Sequence, residues 1–289
     1  MTTKFGTVMI WVAAFVLTVT LAVFQRMTGP SYPLRGEVAA AGGAAGFSTS
    51  LPRSHGGEGG LEVALEAPQG WDDGALEWRR YPTADDWSVL PMTRGENGAL
   101  SATVPHQPPA GKVEYRLRLT AGGENVTFPD GDAVVARFRG EVPAWVLIPH
   151  ILAMFSSMLV SSRAFLEAVR PSTPDPRRSV VVAMGLLIVG GLILGPIVQK
   201  FAFGEFWTGW PHGSDLTDNK TLIAFLAWLP VTVLALRGKK MRLALVAGWI
   251  AMMGAFLIPH SLRGSEMDWS EGEIKTGGVV ERPAIDRSV

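Results

Sequence analysis

Apolar residues in this chain gather into five long runs, at about Phe5–Phe24, Val142–Phe165, Val180–Val198, Thr221–Leu236 and Leu243–Ile258. Roughly 20 consecutive apolar residues cross a bilayer as a helix, so the pattern predicts about five transmembrane helices. Two of the runs are short for a span, a mismatch that tilt, interfacial aromatics or local thinning of the bilayer absorbs. Between the first and second runs the periodicity changes. Leu61–Glu66 and Val113–Leu119 alternate apolar and polar residues, the signature of strands with one buried face. Similar short runs lie at 76–81, 87–90, 99–104, 125–128 and 134–138, separated by turn signals such as Glu96-Asn97-Gly98 and Pro129-Asp130-Gly131. About seven short strands over some eighty residues predict an all-β sandwich of immunoglobulin-like or fibronectin type, inserted between the first two helices.

The expected organisation is therefore an uncleaved transmembrane anchor at 1–26, a flexible stem rich in Gly, Ala, Ser and Pro at 27–60, the sandwich at 61–140, a four-helix membrane part at 141–260 and a tail at 261–289. A cleaved signal peptide would need a shorter apolar core followed at once by small residues, whereas Val23-Phe24-Gln25-Arg26 follows here. Orientation follows from basic loops, which stay in the cytoplasm. Arg163, Arg170, Arg177 and Arg178 fall in one loop, and Arg237, Lys239, Lys240 and Arg242 in another. The N-terminus is then cytoplasmic, and the sandwich, the 200–220 loop and the tail lie outside. In a bacterium this is a multi-pass inner-membrane protein with a periplasmic β domain.

Charge changes the picture by exclusion. Lys and Arg number 26, as do Asp and Glu, so no basic excess argues for nucleic acid as a partner. There is no cysteine, which excludes disulfides, thiolate metal sites and Cys nucleophiles. No Walker loop, dinucleotide glycine fingerprint, nucleophile elbow or zinc-protease helix occurs. The expected partners are the lipid bilayer and other membrane protein subunits.

Candidate chemistry rests on histidine. Of five histidines, His150, His212 and His260 lie at membrane boundaries directly after a proline, and Leu147-Ile148-Pro149-His150 matches Leu257-Ile258-Pro259-His260. An ionisable group at such a depth is a site hypothesis by default. Two imidazoles on antiparallel helices can ligate one haem iron or help hold a metal ion, with His150 and His260 as the pair. His212, Asp215 and Glu266 extend the candidate metal set with mixed nitrogen and oxygen ligands. The competing reading makes these interfacial histidines and a solvated polar loop. Trp207 and Trp210 suit an aromatic belt, Asp218 a helix cap, and the glycines of the third span a close helix contact.

The stretch from Phe206-Trp207-Thr208-Gly209-Trp210-Pro211 to Asp215-Leu216-Thr217-Asp218-Asn219-Lys220, together with Ile258-Pro259-His260-Ser261-Leu262-Arg263-Gly264-Ser265-Glu266, resembles a group of uncharacterised bacterial polytopic membrane proteins. The resemblance implies the same layout of anchor, outer β domain and four further helices, and brings no activity with it. It implies an aromatic residue where His212 stands, which favours His150 and His260 as the pair. Two functions follow as expectations. One is an outer-face His/carboxylate site for haem or a divalent ion. The other is a non-catalytic structural or assembly subunit of a larger respiratory or photosynthetic complex; a transporter ranks behind both for want of an internal repeat.

Overall fold

The computed structural model describes residues 4–71, 73–96, 98–170, 175–260, 262 and 264–275; the far end of the expected tail, 276–289, lies outside the described residues. The chain forms two compact units, one of residues 1–30 with 142–264 and the other of 31–141 with 265–289.

The first unit is helical: α1 (Lys4–Met27), α2 (Ala144–Val169), α3 (Arg177–Leu187), a π-helical segment at Ile188–Leu194 that runs into α4 (Gly195–Phe203), α5 (Leu216–Leu236) and α6 (Arg242–Leu257). Four helical stretches, Phe5–Met27, Ala144–Val169, Arg177–Phe203 and Leu216–Leu236, are long and apolar enough to cross a membrane. The fifth, α6, is equally apolar but has 16 residues, about 24 Å at ~1.5 Å per residue. The anchor helix α1 packs into this unit, burying Ile10, Ala14 and Thr18 and placing the Trp11 ring 4.3 Å under the Arg163 guanidinium. Small residues let helices touch. A Cβ on Gly190 would lie 2.9 Å from the Ala153 Cβ, one on Gly191 2.8 Å from the Thr221 methyl, and one on Gly248 2.9 Å from the Ala227 carbonyl. The serines of α2 serve packing: Ser157 donates to the Ala183 carbonyl, Ser161 to Met158, and Ser162 accepts from the Trp249 indole.

The second unit is β-rich. A six-stranded sheet runs β3 (Ser54–Gly56), β11 (Val134–Arg139), β9 (Lys112–Ala121), β5 (Asp73–Tyr81), β6 (Ser88–Pro91), with β10 (Glu124–Phe128) pairing the far half of β9. A three-stranded sheet runs β4 (Leu61–Leu65), β8 (Leu100–Val104), β7 (Thr93–Arg94). Leu61, Val63, Leu65, Leu100 and Val104 of the smaller sheet share one core with Leu76, Tyr115, Leu117, Leu119 and Phe138 of the larger. The opposite face of β5 and β9 is ionic. Glu77 accepts from Arg116 and Arg118, Glu114 pairs with Arg79, and the Trp87 ring lies 4.6 Å from both the Arg79 and the Arg116 guanidinium.

The expected flexible stem is instead structured from Leu34. β1 (Leu34–Val38) and β2 (Phe47–Leu51) form a hairpin with Val38 and Leu51 buried, and β3 joins the large sheet. Its glycines are turn residues: Gly42 and Gly43 adopt φ of 53° and 86°, and a Cβ at Gly42 would lie 1.8 Å from the Ala121 carbonyl oxygen. The start of the tail is also folded. β12 (Glu266–Asp268) pairs β13 (Glu273–Lys275), Trp269 donates to the Tyr81 carbonyl at 3.0 Å, and Glu266 ion-pairs with Lys112.

Replacing Leu117, fully buried between the sheets, by Ala is expected to cost about 2–5 kcal/mol, read as a lower unfolding temperature of the purified full chain in detergent. Lys275 and Ser270 hold the Asp268 carboxyl well below the usual carboxylate range. A depressed acid stabilises fully above its unfolded value near ~3.9 and loses the effect only as pH falls through the lower folded value. Amide protection of 266–275 is therefore expected to persist at pH ~4 and to fade below it, and Asp268→Asn is expected to remove that acid dependence.

Candidate functional site

The candidate site is built at the end of the helical unit where α2 and α5 begin and α6 finishes. Its first cause is Pro196. A proline has no N–H to give and its ring strikes the carbonyl four residues back, so a regular helix through Leu192 is disfavoured. The wider π turn ahead of Pro196, made pliable by Gly190 and Gly191, accommodates this. The Gly190 carbonyl takes the Gly195 amide and, at 2.9 Å, Nδ1 of His150. Because a carbonyl only accepts, Nδ1 carries the proton in this contact and a neutral His150 presents an unprotonated Nε2.

Lys220 forms the second part. It lies about 6 Å along α5 from Leu216, at 2% exposure, and donates to the Ile258 carbonyl at 2.7 Å, the first residue past α6. The Asp215 carboxylate lies near enough to attract its charge. His260, two residues beyond Ile258, keeps contact with solvent. Crowding by surrounding atoms, then the charge of Lys220 and the neighbouring His150, hold its imidazole below the usual histidine range.

The third part is a locked loop. Asp218, 5% exposed, accepts through one carboxylate oxygen from the amides of Thr208 (2.6 Å) and Gly209 (3.1 Å), the Thr208 hydroxyl (3.2 Å) and Gln199 Nε2 (2.9 Å). Asp215 caps α5 by accepting from the Thr217 amide, and Asn219 accepts from the Trp210 amide. A Cβ on Gly209 would strike Asp218 at 2.7 Å, so the loop lies flat against α5.

The structure thus brings His150, His260 and Lys220 to one end of one unit. His212 sits on the outer side of the loop, exposed, and Asp215 is committed to the α5 cap. Glu266 belongs to the β unit and is ion-paired there. Among the described residues no group of three or more His, Cys, Asp or Glu side chains is arranged to hold a metal ion. Sequence reasoning passed over Lys220 and Gln199. The signal for Lys220 was a single basic residue opening sixteen residues free of charge, in a helix where such a charge needs a reason.

Asp218→Ala is expected to release the loop. Amide hydrogen exchange at Thr208 and Gly209 should accelerate by at least about tenfold, since a bond to a charged acceptor is worth roughly 1.5–3 kcal/mol, while the α2 and α5 amides remain protected.

No protein-family profile matches the chain, and no curated protein matches it.

Proposed function

We propose that this is a multi-pass bacterial inner-membrane protein with an extracytoplasmic, immunoglobulin-like β domain, and that its His150–His260 corner takes a ligand through imidazole nitrogen, as two imidazoles hold a haem iron or a metal ion. The observation that carries the reading is the tautomer of His150. Histidines that ligate metals almost always donate the other ring N–H to a carbonyl, carboxylate or water, which fixes the ring and leaves one nitrogen to bind. The Gly190 carbonyl plays that part for His150. Two neutral nitrogens beside an ammonium suit a lone divalent cation poorly and suit iron already charge-compensated by a porphyrin better.

A second reading, a structural or assembly subunit, draws on a different observation. Asp218, Gln199, Thr208 and Lys220 all bond within the chain, and so hold the loop and helix ends in place without calling for a ligand.

An absorption spectrum and elemental analysis of protein purified in mild detergent separates the two. The ligand reading expects a bound chromophore or stoichiometric metal in the wild type, lost in both His150→Ala and His260→Ala while each variant still unfolds cooperatively. An empty wild type that brings stoichiometric partners with it would leave the assembly reading.

A further inference from the structure

The other end of the helical unit carries a surface that the histidine corner does not explain. Here α2 and α5 finish and α3 and α6 begin, so two loops meet. Arg177 at the start of α3 donates to the Gly238 carbonyl at 3.0 Å, and Arg242 at the start of α6 donates to the Arg170 carbonyl at 3.4 Å. These crossed contacts gather Arg170, Arg177, Arg178, Arg237, Lys239, Lys240 and Arg242 at one end of the bundle. Among the described residues of the two connections the only acid is Asp175, which pairs with Arg177. The carboxylate of α2 nearest this end, Glu167, is buried and taken by Arg163 and Ser179, and that of α5, Asp218, lies at the helix's opposite end.

The α5–α6 connection is also preshaped. The amides of Arg237, Gly238 and Lys239 return to the carbonyls of Val233, Ala235 and Leu234, and Gly238 sits at φ 67°. The chain thereby reverses within a few residues of Leu236, the last apolar residue of the span, and Lys239 and Lys240 stay exposed at that level. Part of the basic content answers the negative ends of α2 and α5. That effect fades within a turn and falls short of seven cations on so small an area.

We propose that this patch binds the phosphate headgroups of anionic phospholipids in the bilayer leaflet it faces. The level of the cations fixes the partner. They begin where the apolar spans stop, which is the depth of the headgroups, so the phosphates of lipids already around the protein meet them without any further partner being recruited. Clusters of four to eight Lys and Arg directly next to a membrane helix attract anionic lipid in this way, by charge and within a Debye length. The inference is independent of the histidine corner, which lies at the other end of the unit.

The test uses the full chain in nanodiscs of mixed phosphatidylglycerol and phosphatidylcholine, extracted into detergent, with native mass spectrometry reading the retained lipids. The wild type is expected to retain phosphatidylglycerol in preference to phosphatidylcholine, less so as salt rises. Arg178→Gln, Lys239→Gln and Lys240→Gln touch side chains outside the crossed contacts, and each is expected to lower the preference by up to about fivefold at low salt. Met241→Leu serves as a neutral control beside them, and unfolding temperatures in zwitterionic detergent should match. Equal retention of the two lipids by the wild type, or a triple variant that keeps the wild-type preference while folded, would overturn the proposal. So would displacement of phosphatidylglycerol by inorganic phosphate at constant ionic strength, since that would mark a discrete phosphate site.

Discussion

Inside hydrocarbon a polar group that finds no partner within the protein finds none at all, and most of the helical unit's odd features answer that constraint. Its sharpest instance is the end of α6. At about 24 Å this helix is shorter than a bilayer core of ~30 Å, and its end meets α5 one turn inside that helix, at Lys220. The last carbonyls of α6 have no partner in the helix. Lys220 supplies the donor, reaching the Ile258 carbonyl from one turn inside α5. A cation buried to 2% exposure, hard to justify on the surface of a span, is well placed against the negative end of a helix that stops short.

The same constraint explains the π segment and the locked loop. Pro196 removes a donor from the third span, and the Gly190 carbonyl finds a second one in His150. Asp218 gathers four donors, two of them amides of a loop that would otherwise enter the bundle end unsatisfied. Satisfying these groups is a structural task, and it leaves a chemical residue. Fixing Nδ1 of His150 to a carbonyl exposes the basic lone pair of Nε2, and tying Ile258 to Lys220 draws His260 to the same place. A ligand site and a structural clasp share their parts here, which is why both functional readings have support.

The sequence made the architecture legible where period and length are strong signals. The five apolar runs and the seven alternating segments all correspond to elements, because a helix must bury its polar backbone over some 20 residues and a strand must alternate. It misled where composition stood in for conformation. Residues 34–56 look like a stem because Gly and Ala are frequent, yet Gly42 and Gly43 are the turn of a hairpin whose Val38 and Leu51 enter the core. The site was half legible. Pro-His repetition pointed to His150 and His260, but the tie from Gln199 to Asp218 and from Lys220 to Ile258 joins residues 19 and 38 positions apart, which no local pattern reveals. Glu266 was drawn into the site by its nearness to His260 in sequence; strand pairing of β12 with β13 and the Lys112 cation hold it in the β unit.

The two ends of the helical unit are chemically unlike, and the difference has one origin. At the basic end the helices stop at water, so cations stand exposed and the contacts between loops run through arginine to carbonyl oxygens. At the histidine end the 204–215 loop folds back over α5, and Asp215, Asp218 and Lys220 are buried and hydrogen-bonded within the chain. Charge that is free to meet headgroups can bind them loosely and in number. Charge that is shut in must be specific, because each unpaired group there costs what water would have given it. A ligand that enters the histidine corner therefore has to replace contacts the protein already makes, or use the imidazole nitrogens those contacts leave bare, Nε2 of His150 among them.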